Sequence, residues 1–298
     1  MTPDRPLFGI LLMLGFCVLA PLGDSIAKIL GPVVPLALLM LIRFWVQALV
    51  LWPMCRARGV AIRPPRALLG LVILRAALHI LGVGLMFTSL LFLPLAEAVA
   101  IAFVMPFILL LLGSLFLGEE VGPRRLIACA VGFSGALMVI QPSFAEVGAA
   151  ALLPLGVALA FALFMLVTRR VAKHIDAVPL QAFSGLIAGG LLMGLVALDG
   201  SWTALPTFGA RIWGLLLLLG LVGTVAHLLM TWSLRYAPSA TLAPMQYLEI
   251  PIATFFGWLI FNDLPGPLAT LGIAVTIAAG LYVIWREGRT LRAAPPAV

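Results

Sequence analysis

The sequence predicts an all-α integral membrane protein with ten transmembrane helices, built as two inverted five-helix repeats with both termini cytoplasmic. Three observations predict it. The 298 residues are 63% hydrophobic and 10% charged, with a mean hydropathy of +1.21, whereas soluble domains carry about 25% charged residues. Apolar runs recur along the whole chain at the length of about 20 residues that crosses roughly 30 Å of hydrocarbon. Finally, the segment 87–140 returns as 231–284 at a constant spacing of 144 residues.

Each span follows from an apolar run and the break that closes it. Leu7–Leu30 begins like a signal peptide, with Val18-Leu19-Ala20 as a weak cleavage-like end. Pro21 follows directly, Asp4 and Arg5 precede the run, and apolar character continues to Leu30, so an uncleaved helix is expected. Val33–Met54 lies after Gly31-Pro32, and Leu68–Leu91 after Arg63-Pro64-Pro65. Leu95–Leu117 opens after Pro94, Arg124–Gln141 after Gly122-Pro123, and Gly148–Thr168 after Gln141-Pro142. Val178–Leu198 starts at Pro179 and Phe208–Ser233 lies after Pro206. Ser239–Phe261 follows Pro238, and Gly266–Trp285 is opened by Pro265-Gly266-Pro267. Prolines at helix ends do little harm, because the missing N–H has no helical partner there. The repeats divide the chain into residues 1–143 and 144–298, the second with a short cytoplasmic tail.

Orientation follows from the basic residues. Arg56, Arg58, Arg63 and Arg66 share the second loop, Arg124 and Arg125 the fourth, and Arg169, Arg170 and Lys173 the sixth; Arg235 lies in the eighth, and Arg286, Arg289 and Arg292 in the tail. With Arg5 they all fall on one side of a ten-span chain, while Lys28 and Arg211 lie near the other. The positive-inside rule makes that crowded side cytoplasmic.

The repeat carries Ser89/Ser233, Pro94/Pro238, Gly113/Gly257, Gly122/Gly266 and Pro123/Pro267 as identical pairs, and aligns Glu119 with Asp263. A half with an odd number of spans enters the membrane in the opposite sense from its partner. The halves are then related by a two-fold in the membrane plane, the plan of many secondary transporters, with substrate near the midplane between them.

On these residues the chain resembles the drug/metabolite transporter superfamily, in its ten-helix EamA-type branch. Leu93-Pro94 opens the fourth span, Pro106 lies within it, and Phe116-Leu117-Gly118-Glu119 closes it; Ala237-Pro238, Pro251 and Phe261-Asn262-Asp263 repeat the pattern. The resemblance covers essentially the whole chain and departs from the family at Asn262-Asp263, where Gly-Glu is usual. It implies a multi-pass protein of the bacterial inner membrane, and within the family the chain is similar to amino-acid exporters, aromatic amino-acid exporters included.

Seven polar residues lie within the spans, at depths where an ionised group costs at least roughly 2.5–3.5 kcal/mol. Arg43 and Gln47 share a face of the second span, and Arg75 and His79 a face of the third. Gln246 and Glu249 share a face of the ninth, with Tyr247 about 100° around from Gln246 and Pro244 and Pro251 bracketing the group. The candidate substrate-binding set is therefore Arg43, Arg75, His79, Gln246, Tyr247 and Glu249. Alternative roles stand beside it. Arg43 and Glu249 can form a structural ion pair, Arg75 can snorkel to headgroups, and His79 can serve helix packing. Asp24 and Lys28, at i and i+4, are expected to pair with each other. Glu97 is expected to face water or pair at a gate, and His227 is a candidate proton carrier.

A mixed set of basic and acidic groups suits a zwitterion, so the expected function is export of small amphoteric metabolites, above all amino acids, by alternating access. Organic-anion or drug-like cargo is the alternative, and a lipid-modifying membrane enzyme with His79 and Glu249 as acid and base a more distant one. No HExxH, GxSxG, Walker A or dinucleotide-binding fingerprint occurs in the chain. Cys17, Cys55 and Cys129 have no metal-ligand spacing. No enzyme activity, cofactor or metal is therefore expected. The net charge of +7 sits in the short loops, which favours a bilayer over nucleic acid as the charged partner. The expected partners are thus a small-molecule substrate and the lipid bilayer, and a monomer suffices for the predicted architecture.

Overall fold

The computed structural model describes residues 5–117, 123–238 and 242–293. Residues 118–122, including Glu119 and its match to Asp263, lie outside the described residues. The helices are α1 (Pro6–Leu30), α2 (Leu36–Ala57), α3 (Arg66–Ser89), α4 (Leu95–Ala102), α5 (Met105–Leu117), α6 (Pro123–Val147), α7 (Leu153–Ala172), α8 (Ala177–Asp199), α9 (Ala210–Tyr236), α10 (Glu249–Phe261) and α11 (Pro267–Ala293). Single 3₁₀ segments cover Gly148–Leu152, Ser201–Thr207 and Ala243–Leu248. The described residues contain no strand.

Local chemistry sets most boundaries. Pro35, Pro65 and Pro94 stand immediately before α2, α3 and α4 with extended backbone, so the chain enters each helix after a residue that has no N–H to satisfy. Asp176 caps α8 by accepting from the Val178 N–H at 3.2 Å and also pairs with Arg235 at 2.9 Å. Asn262 ends α10 in the left-handed region (φ 56), with the Asp263 N–H donating back to the Gly257 carbonyl at 3.2 Å. That conformation favours Gly and tolerates Asn, which accounts for Asn where the family has Gly.

Two boundaries differ from the sequence reading. Gln141-Pro142, expected to end the fifth helix, lies within α6, and the chain turns instead at Gly148 (φ 64). Proline at this position removes one backbone hydrogen bond and crowds the carbonyl four residues back, but the helix runs on for only five residues beyond it. The division drawn at residues 143/144 thus falls inside α6. The fourth and ninth spans are also not continuous helices. The fourth breaks at Phe103–Val104 between α4 and α5, and the described part of the ninth runs as a 3₁₀ segment until α10 begins at Glu249.

The packing obeys an exchange of halves. Helix α1 packs on α9 and α3 on α7, pairs that interconvert when each span is replaced by the one five spans later. The pairs α2 with α8 and α6 with α11 map onto themselves under the same operation. Local detail follows: Ser89 and Ser233 each donate to the carbonyl three residues back, at Met86 and Met230, both at 2.8 Å. Gly135 and Gly272 bring α6 and α11 together so closely that a Cβ on Gly135 would stand 2.6 Å from the Gly272 carbonyl oxygen.

Among the described residues, six stretches are long and apolar enough to cross a membrane, and the apolar helices Met245–Phe261 and Pro267–Ala279 are shorter. Outward faces expose Leu11, Leu49, Leu81, Leu115, Phe116, Leu191 and Leu259, a belt that water would not tolerate and lipid favours.

Candidate functional site

Between the halves lies a cavity of about 90 Å³, room for roughly six to nine waters at ~10–15 Å³ each. Helix α1 turns Phe16, Ala20, Gly23 and Asp24 into it, and α7 turns Val157, Ala158, Phe161 and Met165, each set at helical spacing. The broken spans contribute Phe103 at the α4–α5 junction, Gln246 in the 3₁₀ segment and Glu249 as the first residue of α10. The wall is mainly apolar, with four phenylalanines and four methionines set among smaller aliphatic residues and a few polar groups converging on it, which is the usual make-up of a small-molecule site.

Four polar side chains that line the cavity have unused hydrogen-bonding capacity among the described residues: Arg43, Gln246, Glu249 and, at Nδ1, His227. Arg43 is 5% exposed, its guanidinium lies 5.0 Å from the Phe44 ring, and Nη1 has no hydrogen-bond partner among the described residues. Position 223 on α9 must be small here, because a Cβ on Gly223 would stand 2.9 Å from Arg43 Nε. The amide nitrogen of Gln246 reaches the sulfurs of Met165 (3.1 Å) and Met13 (3.7 Å), which leaves Oε1 without a partner among the described residues. Glu249 Oε1 is likewise unpartnered there. Buried polar atoms left unsatisfied cost about 1–3 kcal/mol each, which makes this cavity the candidate site.

The structure places the other predicted site residues elsewhere. Arg75 does not snorkel. It is fully buried and donates to Thr168 Oγ1 (2.9 Å), Ser184 Oγ (2.8 Å) and Thr231 Oγ1 (3.3 Å), with its guanidinium 4.6 Å from the Phe164 ring. It ties α3 to α7, α8 and α9 and does not line the cavity. Gln181 extends the same cluster, accepting from Gln47 at 2.7 Å and donating to the His227 carbonyl at 2.9 Å. His79 also stays outside the lining; its Nε2 stands 3.1 Å from Nε2 of His227, which does line it. Tyr247 points away, 5.6 Å from the Phe103 ring and against Gly132.

Three expected pairings are corrected. No Arg43–Glu249 ion pair forms among the described residues; the acid that acts electrostatically on Arg43 is Asp24, and Asp24 also acts on Glu249. Lys28 does not pair with Asp24. Its ammonium donates to the Leu93 carbonyl at 2.6 Å and the Leu90 carbonyl at 3.4 Å, filling the orphan acceptors past the end of α3. Glu97 is buried and accepts from Ser143 Oγ at 2.6 Å instead of facing water. Asp24 is therefore the cavity residue the sequence reading missed. The i,i+4 lysine masked it, and its depth on α1 was the one signal available.

The two repeats are matched separately by one family model, described as the EamA-like transporter family, over residues 7–141 and 148–286. The chain belongs to that family. A riboflavin transporter of Rhizobium johnstonii is 34% identical over 222 residues, covering 73% of this chain and 71% of the relative. An S-adenosylmethionine uptake transporter of Rickettsia prowazekii is 23% identical, with 92% and 91% covered. A pseudopaline exporter of Pseudomonas aeruginosa is 24% identical, with 88% of each covered. One solved crystal structure shares the fold at a TM-score of 0.67 and 18% identity over 96% of this chain and 98% of that one. The EamA-type chain described here is thus a multi-pass transporter of the inner membrane. The relatives' names specify cargo other than the amino acids expected from the sequence.

Proposed function

We propose that this transporter is a secondary carrier whose cargo is a flat, polar heteroaromatic metabolite, with riboflavin the first candidate, held between the halves and released by alternating access. The observation that carries this reading is the cavity itself. Aromatic and thioether walls suit the faces of a ring system, while Arg43 Nη1 offers a donor and the Oε1 atoms of Gln246 and Glu249 offer acceptors to its polar edge. The relatives named for riboflavin and for S-adenosylmethionine support it, since both compounds combine a planar heterocycle with a polar tail. Ten spans with cytoplasmic termini, divided near residue 143, and broken helices at the site accord with rocking of one half against the other.

A second reading, amino acids as cargo, is favoured by one observation: Asp24, Arg43 and Glu249 together offer both charges that a zwitterion needs. No nucleotide-binding motif is present to drive transport, so net direction follows the gradients. Counterflow of labelled riboflavin in proteoliposomes separates the two readings. Exchange that excess unlabelled riboflavin abolishes and the twenty amino acids leave intact supports the flavin reading. Suppression by an amino acid, with no riboflavin exchange, transfers the assignment to the second.

A further inference from the structure

We infer that His79 and His227 form the proton-binding site that couples this carrier to a pH gradient; the inference rests on the carrier reading but not on riboflavin as the cargo. Both residues are almost wholly buried, and their Nε2 atoms stand 3.1 Å apart. Two nitrogens at that distance share one proton, with one ring donating N–H and the other accepting on its lone pair. Neither Nδ1 atom has a partner among the described residues. The pair therefore holds open capacity for one more proton.

The position of the pair links that proton to transport. His79 is on α3 of the first half and His227 on α9 of the second, so the N–H···N bond joins the two bodies whose relative motion moves the cavity. His227 lines the cavity, which gives its ring a route to water or cargo. A proton added at His227 Nδ1 makes that ring an imidazolium whose Nε2–H donates to neutral His79; no electrons move and no bond breaks except N–H. The charge-assisted bond is stronger than the neutral one. Proton occupancy and the arrangement in which the two rings touch thus stabilise each other, and the proton leaves by the same nitrogen when that arrangement is lost.

Every charged group around the pair bears on this balance. Burial of the two rings, and after it the charges of Arg43 on α2 and Arg75 on α3, oppose the added proton; the acids at the same cavity are Asp24 of α1 and Glu249 of α10. The remaining faces are closed by Phe16, Phe44, Phe161 and Phe164, which carry no titratable group. Cargo that neutralises Arg43 removes one of the two opposing charges and so promotes proton uptake. Substrate and proton are then bound together, which is co-transport.

The test has two arms. In nanodiscs, isotope-labelled histidine should show by NMR a direct coupling between the two Nε2 nitrogens, and the pair should take up one proton as the pH is lowered across the range in which the carrier is active. A pair that stays neutral and hydrogen-bonded across that range overturns the proposal whatever the cargo is. In proteoliposomes, a gradient of about one pH unit should drive up to about tenfold riboflavin accumulation at one proton per substrate. His79→Gln keeps a hydrogen-bonding side chain outside the cavity lining but cannot titrate. It should retain riboflavin exchange and lose accumulation to within twofold of the equilibrium ratio. Undiminished accumulation by H79Q, or riboflavin exchange by the wild type that a pH gradient leaves unaltered, refutes the coupling. Absence of all riboflavin exchange refutes the cargo instead, and the NMR arm still decides the pair.

Discussion

Two glycines one turn apart on α9 give the same substitution opposite consequences. A Cβ on Gly223 would stand 2.9 Å from Arg43 Nε, 3.1 Å from Nη2 and 3.2 Å from Cζ. Ordinary contact is about 3.5–4.0 Å, so in Gly223→Ala the guanidinium must move by roughly 0.5–1 Å. The end of an arginine side chain can yield that much at small cost, and alanine gains up to about 1 kcal/mol of helix propensity over glycine. Stability should therefore change little, while the donor aimed into the cavity is displaced; a loss of about 1.4 kcal/mol of substrate interaction is a tenfold fall in affinity. At Gly220 the obstruction is Val46, with Cγ1 at 2.7 Å and Cγ2 at 2.9 Å. A β-branched side chain held by its own helix cannot rotate away. Overpacking there costs about 1–3 kcal/mol, only partly offset by propensity. Gly220→Ala should lower Tm by roughly 2–6 °C, using about 2–4 °C per kcal/mol, with riboflavin affinity near wild type. Thermal unfolding and riboflavin counterflow of the two variants, measured in parallel, test this. Wild-type exchange by a stable G223A protein would show that Arg43 in its cradle is not on the substrate path. Identical losses in both variants would show that the α2–α9 interface responds only as packing.

Two further outcomes check the architecture. A cysteine probe at Asp199 should be labelled from outside intact cells and one at Arg58 should not; the reverse pattern contradicts the orientation. At the crossing of α6 and α11 a Cβ on Gly135 would meet the Gly272 carbonyl oxygen and the Thr276 backbone nitrogen as well as the Thr276 side chain, so Gly135→Val has little room to relax and should cost about 3 kcal/mol; a variant with unaltered Tm would mean that the helices do not cross at that contact.

Much of the fold was legible because a bilayer imposes length and polarity on every span, and because Pro94 and Pro238 announced the repeat. The breaks in the fourth and ninth spans were not, since hydropathy is blind to backbone hydrogen bonding and Phe103-Val104 is as apolar as its neighbours. Pro142 misled for a related reason: proline near a helix end and proline beyond it look alike in sequence. At the site, Arg43, Gln246 and Glu249 could be singled out by depth and helical spacing, and the fold brings all three to one cavity. Depth could not reveal that hydroxyls on α7, α8 and α9 await Arg75, or that backbone carbonyls await Lys28, because those partners are distant in sequence. The His79–His227 contact joins residues 148 apart, and a single sequence carries no signal for it.

The central claim is that the cavity between the halves is the transport site, and Glu249→Gln tests it most directly. The change keeps volume and replaces the carboxyl at the cavity with an amide that cannot ionise. Riboflavin counterflow by E249Q in proteoliposomes should fall at least tenfold, about 1.4 kcal/mol of lost interaction, while Tm stays near that of the wild type because no ion pair is broken. Wild-type exchange by a stable E249Q protein would contradict the account.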